Sequence, residues 1–139
     1  MKIEEQVLSI EQMKHLQELG VDTSDASMVW IKQDSTLLPD NIKELWWVDT
    51  YYDSLKPMVE QEDSGFVQTY TISDLIEKLP IRIGSVNRKI YFTGKYIIDS
   101  YSSPDGSLIE YRGTTLLCLL YSLLCWVAET HKELLEVKK

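Results

Sequence analysis

The chain has 139 residues, of which 44% are hydrophobic and 26% are charged. This length fits one domain, residues 1–139, and the composition is typical of globular rather than disordered proteins. The formal net charge of −8 argues against general affinity for nucleic acid or for anionic membranes.

Neither end of the sequence predicts export or membrane insertion. Residues Met1–Gln6 are too polar and too acidic for a signal peptide. The longest apolar stretch, Leu116–Ala128, has 13 residues, whereas a bilayer requires roughly 20. We therefore expect a cytoplasmic protein with no membrane span, in which Cys118 and Cys125 are reduced thiols.

The charge is unevenly distributed along the chain. Residues 78–98 contain five basic residues and no acidic one, which leaves a charge of −13 elsewhere. Such a molecule could pair with itself or with an acidic partner, although basic residues on strand edges also serve to prevent aggregation. The residues of this possible basic patch are Arg82, Arg88, Lys89 and Lys95.

The first predicted element is a helix that begins after Ser9. Ser9 and Gln12 have the spacing of a capping box, and Gly20 tolerates the positive φ that ends many helices. The apolar positions recur at a spacing of three and are Ile10, Met13, Leu16 and Leu19.

The next segment is predicted to be extended. Ala26–Lys32 and Leu45–Tyr52 have the composition of strands, the second being rich in aromatic residues. Lys56–Gly65 is interpreted as a loop because it contains Pro57 and Gly65, and Phe66–Thr71 as a short extended segment.

A short central helix, Asp74–Leu79, is predicted next, with either Ser73 or Thr71 as its N-cap and Pro80 as its end. A meander should follow, in which Gly94 marks either a tight hairpin or a bulge. Its segments are a strand over 81–86, a turn at Asn87-Arg88, strands over 89–93 and 95–102, a turn at 103–106 and a return strand over 108–111.

The last helix is predicted from Thr114 or Thr115 towards Val137. A leucine-rich stripe covers about 160° of it at 100° per residue, formed by Leu116, Leu117, Leu119, Leu120, Leu123, Leu124 and Val127. These elements predict an α+β fold: an antiparallel sheet of about four to five strands, packed against this long helix, with an N-terminal helix and a short central helix.

The opposite side of the last helix is small and only weakly polar, so we expect it to be a second packing surface. Its residues are Cys118, Ser122, Cys125 and Glu129.

No pattern in the sequence predicts a catalytic residue, a cofactor or a metal site. Cys118 and Cys125 lie seven residues apart on one helical face, about 10.5 Å between Cα atoms, too far for a disulfide or a shared metal. They are interpreted as half-buried structural thiols. A pocket near Cys125 and His131 is the alternative, although these side chains point about 120° apart on a continuous helix.

The pairs Trp46-Trp47 and Tyr51-Tyr52 form the most unusual local feature. Adjacent strand residues point to opposite faces, so one Trp could be in the core and the other outward. An outward Trp near a Tyr would suit a recognition surface, whereas edge-strand packing or coverage by a loop are the other interpretations.

Three segments of the sequence resemble a known family. Residues 9–24, continuing to Ala26-Ser27-Met28, and the terminal Leu124-Cys125-Trp126 with Glu129 resemble small uncharacterised proteins of Bacteroides and related gut bacteria, often found among prophage or mobile-element genes. Residues 74–80 are similar to the central helix of that family. The resemblance implies a bacterial or phage origin, and it assigns no activity and no functional residue.

The leading hypothesis is a non-enzymatic accessory or protein-interaction module. It rests on the uneven charge and on Trp46, Trp47, Tyr51 and Tyr52, with an unknown protein as partner. The alternatives are a small ligand-binding domain or enzyme, with a pocket between the sheet and the last helix, an acidic mimic of nucleic acid, and a homodimer formed through an exposed strand.

Overall fold

The computed structural model describes residues 5–42, 44–61, 63–103 and 106–135. The predicted α+β fold, with an antiparallel sheet against the C-terminal helix, is confirmed, and the strands divide into two sheets of three and four. The elements are α1 (Ile10–Glu18), β1 (Met28–Lys32), β2 (Trp46–Thr50), α2 (Lys56–Glu60), β3 (Phe66–Thr69), α3 (Ile72–Lys78), β4 (Arg82–Ile83), β5 (Val86–Phe92), β6 (Ile97–Ser103), β7 (Gly106–Gly113) and α4 (Leu116–Thr130).

Helix α1 begins and ends where the sequence predicts. The Gln12 amide donates to the Ser9 hydroxyl at 3.1 Å, and the Ser9 amide donates to the Gln12 side chain at 2.9 Å, which completes the capping box. Gly20 follows the helix with φ +86°. Met13 and Leu16 are fully buried, so the predicted apolar stripe does face the core.

The three-stranded sheet has the order β2-β1-β3, with both pairs antiparallel. The interpretation of Lys56–Gly65 as a loop is wrong in part, because α2 occupies Lys56–Glu60 after a short 3₁₀ turn at Asp53–Leu55. Pro57 lies in the first turn of α2, where a missing amide hydrogen costs the helix nothing.

The four-stranded sheet has the order β4-β5-β6-β7. The turn predicted at Asn87-Arg88 is wrong: both residues lie in β5, opposite Ser102 and Tyr101. Gly84 turns the chain earlier instead, because its φ of +61° is readily adopted by glycine.

Two further turns join the strands of this sheet. Around Gly94 the chain forms a tight hairpin, in which the Thr93 amide donates to the Tyr96 carbonyl at 2.8 Å. At the next connection Ser103 pairs with Gly106, while residues 104 and 105 of the predicted turn lie outside the described residues.

The N-cap of α3 is Thr71, one of the two predicted alternatives. Its hydroxyl accepts from the Asp74 amide at 3.1 Å, and the Asp74 carboxylate accepts from the Thr71 amide at 3.0 Å. Leu75, on the inner side of this short helix, is fully buried.

Helix α4 packs on β6 and β7 and against α3. Its buried residues are Leu119, Leu120, Leu123, Leu124, Val127 and Ala128. The continuation predicted towards Val137 is wrong over the described residues, because α4 ends at Thr130 and a 3₁₀ turn follows at Lys132–Leu135. This turn returns Leu135 to the core. Within the described ranges, no helix combines the length and apolarity needed to cross a membrane.

The other side of α4 is only half covered. Ser122 and Cys125 are partly buried, whereas Cys118 and Glu129 at the two ends are exposed. The prediction of a half-buried thiol therefore holds for Cys125 and is wrong for Cys118, which lies near the exposed first turn of the helix.

The main core lies between α1, α3, α4 and the inner face of the four-stranded sheet. The three-stranded sheet is joined to this core at the carbonyl of Leu8. That carbonyl accepts from the Trp30 indole at 2.9 Å and from the Thr69 hydroxyl at 2.7 Å. The smaller sheet therefore sits beside the core, and β2 is one of its two outer strands.

Candidate interaction surface

Strand β2 is an outer strand, and it carries or adjoins all four aromatic residues of the predicted recognition surface. Trp47 is 37% exposed and Tyr52 is 63% exposed, whereas Trp46 and Tyr51 are half-buried. The structure therefore brings the four residues to one strand and leaves two of them accessible.

The two tryptophans lie on opposite faces of the three-stranded sheet. Trp47 is opposite Ile31 and shares its face with Asp49, whereas Trp46 is opposite Lys32. Trp46 is half-buried and lies on the same face as the buried Val48, whereas Trp47 is 37% exposed on the other face.

Trp46 is held by a charged pair at the start of β2. The Lys32 ammonium lies 6.0 Å from the centre of the Trp46 ring and 3.0 Å from a Glu44 carboxylate oxygen. The ring thus packs beneath a lysine that is already paired with Glu44. The cation–π contact is weak because the site is exposed.

The backbone of β2 presents hydrogen-bonding groups on its open side. The Leu45 carbonyl accepts from the Gln33 amide at 2.7 Å, and the Tyr51 amide donates to the Ser27 carbonyl at 3.0 Å. Odd-numbered residues therefore direct their backbone groups towards β1, and alternation directs those of Trp46, Val48 and Thr50 away from it. Within the described ranges β2 pairs with β1 alone, so this edge is open.

One group on that edge is already occupied. The Thr50 amide donates to the Asp49 carboxylate at 2.8 Å. A charged side chain that occupies an edge amide limits strand pairing there. The open part of the edge is therefore the backbone of Trp46 and Val48.

The surroundings of β2 are strongly acidic. Residues 40–65 contain seven acidic and two basic residues, five negative charges net. The described basic residue of this stretch, Lys56, lies 3.8 Å from the Glu60 carboxylate, so its charge is partly compensated. A cationic partner would be attracted to this region.

A shallow cleft lies beside the Trp46 ring. Its volume is about 320 Å³, and it is lined by Lys14, Lys32, Glu44, Trp46, Phe66 and Val67 among others. The cleft is open to solvent and has charges of both signs, so it offers space for a single protruding side chain beside the Trp46 ring.

Cys125 and His131, the residues of the alternative pocket, both lie in or next to the C-terminal part of α4. His131 ends α4, and its ring packs against Trp126 with 5.3 Å between centres. Burial raises the pKa of the Cys125 thiol, which disfavours the nucleophilic thiolate. The cleft beside Trp46 is lined by neither residue.

The four residues of the predicted basic patch are only partly brought together. Arg88 lies on the inner face of its sheet, where its guanidinium donates to the Ile76 carbonyl at 3.0 Å. Lys89 points to the outer face. Arg82, in β4, lies beside the start of β5, and Lys95 follows the end of β5. The length of β5 therefore separates them by roughly 20 Å.

Two acidic side chains, Asp22 and Asp74, form internal contacts. The Asp74 carboxylate accepts from the Ser27 hydroxyl at 2.6 Å, and the Asp22 carboxylate accepts from the Ser24 amide at 3.0 Å. Groups bound in this way are not free to imitate a row of phosphates.

One partly buried polar cluster was not predicted. The Tyr70 hydroxyl lies 2.6 Å from one Asp25 carboxylate oxygen, and the Lys78 ammonium lies 2.9 Å from the other. Both groups also contact the Asp22 carbonyl, at 3.0 and 2.9 Å. Burial raises the pKa of Tyr70, so its hydroxyl stays a donor. The cluster ties the loop after α1 to α3.

Sequence patterns could not reveal this cluster because its members are far apart in the chain. Asp22 and Asp25 have the local character of turn residues, and Lys78 is more than fifty positions away. Its side chain is only 4% exposed, which nothing in the local sequence indicates.

Comparisons with known proteins add no relative. The chain matches no protein-family model, and the searches of curated proteins and of solved structures found no similar protein. Among the residues that the structure describes, no group of three or more His, Cys, Asp or Glu side chains could hold a metal ion.

Proposed function

We propose that this protein is an interaction module that binds an extended, basic segment of a partner protein along the open edge of β2. The observation that carries the proposal is the outward-directed backbone of Trp46 and Val48, in a strand with exposed aromatic side chains. An added strand would form main-chain hydrogen bonds with this edge, and its side chains would contact the two faces.

The exposed aromatic residues support this binding mode. Trp47 and Tyr52 have large rigid side chains, which contribute strongly to protein–protein binding because little entropy is lost when they become ordered. Trp46 and the cleft beside it would receive a side chain on the opposite face.

The charge of the region supports a basic rather than an acidic partner. Five net negative charges in residues 40–65 would attract lysine and arginine side chains and increase the association rate at low salt. The same charge opposes a homodimer formed by two β2 edges, since it would place like charges opposite one another. The bacterial and phage origin implied by the terminal motifs stays a prediction.

Synthetic octapeptides test the proposal directly. Fluorescent peptides that alternate lysine with valine, and matched peptides that alternate glutamate with valine, would be titrated with the protein at low and high salt. We expect the lysine peptide alone to bind at low salt, and N-methylation of its alternate amides to abolish binding. The NMR chemical shifts of the Trp46 and Val48 backbone amides should change when the peptide binds.

Matched variants separate a specific edge from general stickiness. Trp47→Ala should weaken binding of the lysine peptide at least tenfold, whereas Tyr91→Ala, which removes an aromatic of similar exposure from the other sheet, should leave it unchanged. Equal binding of both peptides, or equal losses in both variants, would refute the proposal. Concentration-dependent light scattering without peptide would instead identify self-association.

A further inference from the structure

Asp99 is a carboxylate enclosed within the four-stranded sheet. It lies in β6, between Ile90 of β5 and Tyr111 of β7, and the residue is 0% exposed. Neither of its carboxylate oxygens has a hydrogen-bond partner among the described residues. Unpaired ionised carboxylates are strongly disfavoured in such surroundings.

The side chain of Asp99 points to the same face as Tyr101, the face on which α4 packs. Residues 97, 99 and 101 alternate with 98, 100 and 102 along β6, and Tyr101 belongs to the main core. Asp99 therefore occupies a position that strand alternation assigns to an apolar residue.

The neighbouring charged and titratable groups do not satisfy Asp99. Arg88, from β5, is bound to the Ile76 carbonyl of α3. Tyr101 donates its hydroxyl hydrogen to the Pro80 carbonyl at 2.6 Å. Tyr111, from β7, faces α4, where burial and the nearby Cys125 and Glu129 raise the pKa of its hydroxyl.

We propose that Asp99 is a proton-binding site that couples proton uptake to the packing of α4 on the four-stranded sheet. With the proton bound, the carboxyl group is neutral and the enclosed site is compatible with a closed interface. When the proton leaves, the carboxylate requires water or a cationic partner, and the interface between α4 and β6 loosens.

The direction of the pH dependence follows from the environment. Burial raises the pKa of Asp99 from 3.8 to about 6, and the positive charge of Arg88 and the nearby Ser100 backbone amide oppose this rise only in part. The folded protein therefore holds this proton roughly 100-fold more tightly than the unfolded chain, for a difference of about two pKa units. The resulting stability is fully present below pH 3.8 and is lost as the pH rises through 6.

Equilibrium unfolding of the full chain between pH 4 and 8 tests the coupling. Relative to Asp99→Asn, the unfolding constant of the native protein should rise up to 100-fold across this range. Asp40→Asn, which removes an exposed carboxylate, should keep the native profile. Parallel profiles for the native protein and Asp99→Asn would overturn the proposal.

Two measurements on the native protein keep the test decisive if Asp99→Asn does not fold. Carbon-13 NMR of the Asp99 carboxyl should give a midpoint near pH 6, whereas a midpoint below 4 would mean that Arg88 pairs with it and would overturn the proposal. Hydrogen exchange in α4 and β6, corrected for intrinsic rates, should be faster at pH 8 than at pH 5. Equal protection at both pH values would also overturn it.

Discussion

The two sheets of this protein differ in what their side chains contact. The four-stranded sheet has α4 on one face and contributes Tyr101, fully buried, to the main core. The three-stranded sheet ends in β2, whose Trp47 is exposed and whose backbone is open on one side. The larger sheet thus contributes to the main core, while the smaller one carries the surface that we propose for recognition. Variants in the two regions should therefore have different consequences.

The largest effect is expected in the helix that covers the four-stranded sheet. Leu120 is 0% exposed, so Leu120→Ala removes buried apolar contacts and leaves a cavity, which costs about 2–5 kcal/mol of unfolding free energy. Urea denaturation measures this loss. Leu117→Ala, at a half-buried position of the same helix, should cost clearly less, and equal losses would contradict the assigned helix face.

A smaller effect is expected at the cluster between the loop and α3. Asp25→Ala removes one of the two acceptors of Tyr70 and Lys78 and leaves the Asp22 carbonyl as the other. The loss of hydrogen bonds to a charged group costs about 1–3 kcal/mol. Asp40→Ala, which removes an exposed carboxylate elsewhere in the chain, is the control. Denaturation curves that coincide for the two variants would show that the cluster contributes nothing.

Removal of the N-cap of α3 should lower the unfolding free energy by a still smaller amount. Thr71→Ala should cost about 1 kcal/mol because it removes the acceptor of the Asp74 amide. Ser73→Ala should stay within about 0.5 kcal/mol, as expected for an exposed position. The reverse order in thermal or urea unfolding would mean that Ser73 is the cap.

The smallest effect on stability is expected beside the recognition edge. Tyr52 is 63% exposed, so Tyr52→Ala should change the unfolding free energy by less than about 0.5 kcal/mol. The same variant should measurably weaken binding of the lysine–valine peptide in a fluorescence titration. A variant that loses stability but keeps peptide affinity would reverse the distinction between the two sheets.

Local signals in the sequence predicted the N-terminal cap of α1 better than they predicted α2 and the turn before β5. Ser9 and Gln12 form their cap within four residues, so their geometry does not depend on distant contacts. Pro57 and Gly65 suggested a loop, yet Pro57 fits the first turn of α2. Asn87 was assigned to a turn that Gly84 makes instead, because the pairing of β5 with β6 extends to Ser102.

The candidate surface could be predicted only as a set of residue types. The aromatic composition of residues 45–52 indicated a strand, but the exposure of Trp47 depends on β2 being outermost, and strand order is a property of the whole fold. Asp99 is the opposite case. The sequence did not single it out, because its inward orientation follows from the pairing of β6 with both neighbours. The absence of a partner among the described residues depends on where Arg88 and Tyr101 bind.

The peptide unit between Leu8 and Ser9 has a consequence for how the molecule unfolds. Its carbonyl accepts two hydrogen bonds from the three-stranded sheet, and its amide donates to the Gln12 side chain in the cap of α1. The start of the helix and the smaller sheet therefore share one rigid plane of atoms. A rotation of this peptide unit disturbs the bonds of both, so we expect the opening of the helix start to be coupled to the opening of the adjoining sheet residues.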